Sequence, residues 1–275
     1  VNLEPFNDFK VDLNANKTYS ETYTELFKVK DIGGDFRHMS PREVGSYTIS
    51  YFTLGTMFND MDEVFKKFES NRQIISGRLG TGTHPKDTGY TAGFGRIQQQ
   101  VLTPAFLAAY TGNDPMVQKL DLFQTIPRIN WNVTYNGLSK LDFFQKYFSS
   151  FSLTHAYKST MTVNNFNSSP YYDADDPDKI NPVTANYYSR FELPSLVITE
   201  GLSPLLRLDV KTKNDITFNI DYKKVRNLTL SFIDNQVNET KSSDLTIGAG
   251  YQLHNVTLPF MKEFKTNRRY KRSKK

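Results

Sequence analysis

The chain has 275 residues and a mass of 31.7 kDa, enough for one large domain or two ordinary ones with a sizeable core. It contains no cysteine, which excludes a disulfide framework, a thiolate metal site and a cysteine nucleophile. The net charge of +5 belongs to the tail: from Lys262 onward eight basic residues face only Glu263, and the rest of the chain carries 26 basic against 28 acidic residues.

That basic tail, 262–275, is expected to be solvated, with anionic headgroups or nucleic acid as the sharper alternative. No run approaches 18 apolar residues, so a transmembrane helix is not expected. The start, Val1-Asn2-Leu3-Glu4, lacks a charged n-region and an apolar h-region, as expected of a fragment or a processed chain. Hydrophobic residues at 38% and a mean hydropathy of −0.54 suggest a soluble protein. The 21 Phe and 16 Tyr, with many Thr and Val, point to β structure.

In chain order, Phe9, Val11, Leu13 and Ala15 open a long strand that continues through Tyr19, Tyr23, Phe27 and Val29. A second strand is expected from about Val44 to Leu54. Residues 57–128 then read as a helix-and-loop insertion. Asp60 with Glu63 forms a capping box, and Met61, Val64, Phe65 and Phe68 make one apolar face of a helix at 60–70. A short helix covers Pro104 to Tyr110, with Gly77 to Gly95 a flexible loop before it. Alternation resumes at Ile129, Trp131, Val133 and Tyr135, and again from Phe151 to Val163. A long polar loop follows, 164–193. Leu206 to Val210 and Ile216 to Tyr222 alternate clearly, followed by Leu228 to Phe232 and Leu245 to Leu253. Lys213-Asn214-Asp215, Arg226-Asn227 and Asn235 to Asp244 read as hairpin connections, giving an up-and-down meander of about eight strands.

Alternation suits a soluble sandwich with its apolar face inward and a membrane barrel with that face outward. Three features favour the membrane. The strands are long. Tyr and Phe recur near strand ends, as aromatic girdles do, with Tyr19, Tyr23, Tyr47, Tyr135, Tyr157, Tyr222 and Tyr251 among them. The long connections 57–128 and 164–193 are two strands apart, so they emerge on one side, opposite the turns at Leu138–Phe148 and Lys211–Asp215. The expected fold is all-β, an antiparallel up-and-down transmembrane β-barrel segment over 1–275.

Several segments are more specific. They are Trp131-Asn-Val-Thr-Tyr-Asn-Gly-Leu-Ser-Lys140, Phe143-Phe144-Gln-Lys-Tyr-Phe148, Phe151-Ser-Leu-Thr-His-Ala-Tyr-Lys-Ser-Thr160 and Ile198-Thr-Glu-Gly-Leu-Ser-Pro-Leu-Leu206. With them go Tyr222-Lys-Lys-Val-Arg-Asn-Leu-Thr-Leu-Ser231, Asn71-Arg-Gln-Ile-Ile-Ser76, Val101-Leu-Thr-Pro-Ala-Phe-Leu-Ala-Ala-Tyr110 and Ile247-Gly-Ala-Gly-Tyr251. Collinear from about residue 9 to 260, they resemble the SprA/Sov family, the giant outer-membrane translocon of type IX secretion in Bacteroidetes, also required for gliding motility. The resemblance implies a piece of barrel wall near the C-terminal part of such a protein. It implies an outer-membrane location, with secreted cargo proteins, a PorV-type barrel and a plug protein as partners. Outer-membrane lipid is expected as a further partner, and nucleic acid is not. The end at Arg272-Ser-Lys-Lys275 lacks the terminal aromatic strand of such barrels, and about eight strands cannot enclose a pore for folded protein.

Little points to catalysis. His38, His84, His155 and His254 are scattered without metal-ligand spacing, and His155 falls on the apolar parity of its strand, where aromatic packing is expected. Gly77-Arg-Leu-Gly-Thr-Gly-Thr-His84 lacks the Lys-Ser/Thr of a phosphate loop. Asp173, Asp175, Asp176 and Asp178 are candidate Ca²⁺ ligands, but they lack the Gly and terminal Glu of an EF-hand loop, and a solvated loop is favoured. No catalytic residue and no cofactor is expected. The rival reading is a soluble or surface-attached β-rich adhesin or glycan-binding module that buries its own apolar faces.

Overall fold

The computed structural model describes residues 1–29, 34 and 36–253. The basic tail 262–275, His254 and the side chain of His38 lie outside the described residues. In chain order the elements are β1 (Asn2–Phe6), β2 (Phe9–Asn14), β3 (Lys17–Val29), β4 (Phe36–Ser50), α1 (Met61–Leu79), α2 (Gln99–Thr111), β5 (Asn130–Tyr135), α3 (Asp142–Tyr147), β6 (Phe148–Ser168), β7 (Phe191–Glu192), β8 (Ser195–Thr212), β9 (Ile216–Ser231) and β10 (Gln236–Tyr251).

The ten strands form one antiparallel sheet, ordered β1-β2-β5-β6-β8-β9-β10, with β3 and β4 branching beside β6. Among the described residues the sheet is open, ending at β1 and β3 on one side and β10 on the other. The expectation of antiparallel meander strands is met, and barrel closure is absent from the described residues.

The branch has a simple cause. β4 pairs with β6 from Val44↔Asn167 to Ser50↔Thr160, and β5 pairs with the next stretch of β6, from Trp131↔Tyr157 to Tyr135↔Leu153. β4 and β5 are therefore two halves of one strand position, interrupted by residues 51–129. On the other side β2 pairs with β5 and β3 with β4, so 9–29 is the single long run anticipated, broken only at Ala15-Asn16. Ser50 and Asn130 close the seam: the Asn130 side-chain amide lies 3.2 Å from Ser50 Oγ, and Arg128 N–H donates to the Ser50 carbonyl (2.8 Å). This corrects the loop-parity argument. The 51–129 segment leaves at mid-height on one face of the sheet, whereas 169–194 joins two strand ends.

Three boundaries also differ. The strand expected at 44–54 ends at Ser50. Arg226-Asn227 is no turn, because β9 runs unbroken through it, and β10 begins within the supposed connection Asn235–Asp244. Both polar runs keep strand alternation, and their inward members find partners in the insertion.

α1 and α2 stack on the sheet face that carries Ile49, Met161, Ile198 and Leu228 in adjacent strands. α2 is apolar all round and buried from Val101 to Tyr110, as befits a middle layer. Gln98 caps it, its side-chain oxygen accepting from the N–H groups of Gln100 and Val101. The helix is longer than the expected Pro104–Tyr110, so Pro104 lies inside it. α1 runs to Leu79, past the expected 60–70, and absorbs Gly77. Its buried face is Val64, Phe68, Asn71 and Ile75, while Met61 and Phe65 are exposed. Asp60 caps α1 through the Asp62 N–H, but Glu63 pairs with Lys67 instead of completing a capping box.

Candidate functional site

The register places one set of side chains on the helix-bearing face along the full height of the sheet. In β9 this set is Ile216, Phe218, Ile220, Tyr222, Lys224, Arg226, Leu228 and Leu230. Their neighbours in β8 are Val210, Leu208, Leu206, Leu202, Glu200, Ile198 and Leu196, and in β10 Tyr251, Ala249, Ile247, Leu245, Ser243, Lys241, Glu239 and Val237. The other face carries Arg207, Asp209, Thr217, Asn219, Asp221 and Lys223. The sheet thus has one apolar and one polar face, divided into three zones by height.

The upper zone lies under the helices. Tyr47, Ile49, Met161, Val163, Leu196 and Ile198 are fully buried there, and the Tyr47 hydroxyl donates to the Gln124 carbonyl (2.7 Å). Tyr19 joins this zone, stacked on Phe166 with ring centroids 5.7 Å apart.

The middle zone is a buried ion cluster. Arg226 and Glu200 are 1% and 0% exposed. The Arg226 guanidinium meets Glu200 Oε2 at 2.7 Å and donates to the carbonyls of Thr56 (2.9 Å) and Thr53 (3.0 Å). Tyr157 Oη donates to Glu200 Oε1 (2.7 Å) and accepts from Thr53 N–H (3.0 Å). Thr56 Oγ1 donates to the Tyr110 carbonyl at the end of α2. Burial pushes the Tyr110 hydroxyl up to about 12, with Glu239 adding and Arg226 opposing. Lys241 pairs with Glu239 (3.1 Å) and donates to the Asn59 carbonyl (2.9 Å). Two cations and two carboxylates compensate each other while fastening β8, β9 and β10 to residues 53–59, where the insertion leaves the sheet. Sequence reading missed this cluster, because Arg226 meets Glu200 and the insertion, and Lys241 meets Asn59, only through the tertiary fold.

The lower zone is apolar and, on β9 and β10, bare, while Val210 of β8 is buried. Phe218 is 46% exposed, Ile220 37%, Leu245 62% and Ile247 70%. Aromatic groups mark both limits. At the upper limit Trp131 stacks on Tyr157 (centroids 4.6 Å) with Phe52 against Tyr157 (5.6 Å). At the lower limit Phe6, Phe9 and Tyr135 form one group, and Phe144, Phe148 and Phe151 another. Of the seven girdle tyrosines expected, Tyr135 and Tyr157 lie in these groups and Tyr251 in the bare zone. Tyr222 lies within that zone, Tyr47 belongs to the helix-covered core, and Tyr19 and Tyr23 are exposed on β3, Tyr19 against Phe166 and Tyr23 donating to Glu25 (2.8 Å).

The remaining candidates separate. Asp173, Asp175, Asp176 and Asp178 are all exposed, and no group of three or more His, Asp or Glu side chains poised for a metal occurs among the described residues. Instead Asp173 accepts from Asp175 N–H in a local turn (3.0 Å). His155 does pack on Trp131, and its Nδ1 lies 2.7 Å from the Leu205 carbonyl. His84 is buried, with Nε2 3.2 Å from Asn186 Oδ1, which also accepts from Gly95 N–H (2.7 Å). The loop after α1 is thereby tied to the 169–194 loop. Gly93 shows why glycine is needed there: its φ is +76°, and a Cβ would sit 2.2 Å from the Tyr187 ring. Within the same loop Asp87 is paired with Arg96 (2.6 Å). Burial alone would raise the Asp87 pKa, but hydrogen bonds from the Arg96 side chain and backbone, together with its charge, hold it below the usual value.

No family model matches the chain, and no curated protein sequence matches it.

Proposed function

We propose that the chain is a section of the wall of a giant outer-membrane β-barrel of the SprA/Sov type, the translocon that exports folded proteins in type IX secretion. The observation that carries the proposal is the bare apolar zone between two aromatic limits. Along β6 it extends from Tyr157 to Phe148. At about 3.3 Å per residue, tilted by about 40°, that is a height of about 23 Å, close to the ~25 Å apolar band of outer-membrane barrels. Apolar side chains face lipid across this band, and the polar face with Arg207, Asp209, Asn219 and Asp221 lines the conduit.

The open sheet fits a wall segment. Its end strand β10 leaves backbone groups to be paired by further strands, since no strand edge can face hydrocarbon. The helices cover only the part of the apolar face above the band. Transport asks no catalytic residue of this segment. Cargo, a PorV-type barrel and a plug protein are the partners this reading brings. A self-contained adhesin or glycan-binding module would have to leave Phe218, Leu245 and Ile247 in water, which the bare zone disfavours.

The test is an immunoblot of fractionated source cells with an antibody to the 169–190 loop, beside an assay of secreted cargo. The expected result is a polypeptide several times larger than 31.7 kDa in the outer membrane, with Ile220→Arg trapping cargo in the periplasm. A soluble band near 31.7 kDa would refute the proposal.

A further inference from the structure

A second feature lies where residues 112–129 run from the end of α2 back to β5. This strap overhangs a groove of about 750 Å³. Val117, Ile126 and Ile129 line it and are 75%, 67% and 53% exposed, and Trp131 also lines it. Trp131 belongs to the upper aromatic limit of the bare zone, so groove and zone meet at this residue. Lys119 and Arg128 also line the groove, and among the described residues neither side chain has an ion pair or hydrogen bond. The two acids of the strap, Asp114 and Asp121, are not in its lining.

We propose that this groove docks one anionic phospholipid from the surrounding bilayer, its acyl chain against Val117, Ile126 and Ile129 and its phosphate between Lys119 and Arg128. The inference rests on the membrane reading given above. Under that reading the upper aromatic limit lies at headgroup level, where aromatic belts and basic side chains meet lipid phosphate. An apolar slot with two unpaired cations at that level has the charge and polarity of such a lipid. It adjoins the lipid-facing zone, which favours a bilayer lipid over a polypeptide segment.

The experiment is native mass spectrometry of the full chain in nonionic detergent, with phosphatidylglycerol and phosphatidylcholine of identical acyl chains as probes. One phosphatidylglycerol is expected to be retained in preference to phosphatidylcholine. Lys119→Gln with Arg128→Gln should weaken it about 25-fold, at about fivefold per cation. Val117→Trp, which fills the groove without altering charge, should abolish retention. Equal retention of both lipids, or no effect of either variant, overturns the inference. So does a polypeptide found in the groove of the wild type and lost from Val117→Trp. Flotation of the same samples with liposomes separates the two claims. A chain that does not float overturns the membrane reading and this inference together. A chain that floats while the double variant keeps its phosphatidylglycerol overturns this inference alone.

Discussion

Replacing Arg226 with Leu removes the centre of the buried cluster. Glu200, with no exposed surface, then keeps only the Tyr157 hydroxyl, and the carbonyls of Thr53 and Thr56 lose their donor. Breaking a buried ion pair by removing one partner costs about 3–5 kcal/mol, mostly the penalty of the charge left behind. Against a total stability of about 5–15 kcal/mol, that leaves the fold marginal. Glu200→Leu should cost less, because Arg226 keeps Glu239 (3.7 Å) and the two carbonyls. The double replacement should fall short of the two single effects combined by about 2 kcal/mol or more, because no unpaired charge remains. Urea titration in detergent micelles measures all three variants. The chain has one tryptophan, Trp131, stacked on the tyrosine that holds Glu200, so its fluorescence reports on this region. A loss below about 1 kcal/mol for Arg226→Leu, or strict additivity in the double variant, would refute the assignment of the cluster as the fastening between sheet and insertion.

Three further outcomes follow from the same geometry. Under the proposed membrane reading, Phe218→Arg or Ile220→Arg should destabilise the chain in liposomes by about 2–4 kcal/mol, while Asn219→Ala stays near neutral; unfolding from liposomes reads the difference, and equal effects at both parities would contradict the proposal. Gly45→Ala should destabilise the covered zone, because a Cβ would lie 2.2 Å from the Ser20 carbonyl oxygen and 2.4 Å from the Phe166 ring; a melting temperature unchanged from wild type would show the site to be roomier than described. Because the Asp87 pKa is lowered in the folded state, its pairing with Arg96 contributes fully above the unfolded carboxylate value of about 3.9 and is lost as pH falls through the lower folded value. Hydrogen exchange of residues 86–96 should therefore accelerate in acid below about pH 4, and Asp87→Asn should remove that dependence; an identical acid response in the variant would assign it to another group.

The sequence revealed most where a residue's role is local. Alternation located β5, β6, β8 and most of β9, and Lys213-Asn214-Asp215 was legible as a turn. Apolar parity identified the face that carries Phe218 and Ile220. Arg226-Asn227 was misread because a charged pair within an alternating run resembles a hairpin, and only the fold supplies Glu200 and the Thr53 and Thr56 carbonyls. Glu239 and Lys241 hid the start of β10 in the same way. Nor does local sequence show that Ser50 and Asn130 abut, since that seam depends on β6 being long enough to pair with both halves. Aromatic limits of Tyr and Phe were expected, but residue by residue membership was not legible: Phe6, Phe9, Tyr135, Phe144, Phe148 and Phe151 form the lower one, because ring position along the strand decides membership.

The most direct test of the proposal that the bare zone faces lipid uses the absence of cysteine from the chain. Single cysteines placed at each position from Thr217 to Tyr222 can be labelled in native membranes with a water-soluble maleimide, then probed with a lipid-borne fluorescence quencher. Positions 218, 220 and 222 should resist the maleimide and be quenched from the lipid, while 217, 219 and 221 should label from water and escape quenching. Labelling without alternation, or with the opposite phase, would contradict the account.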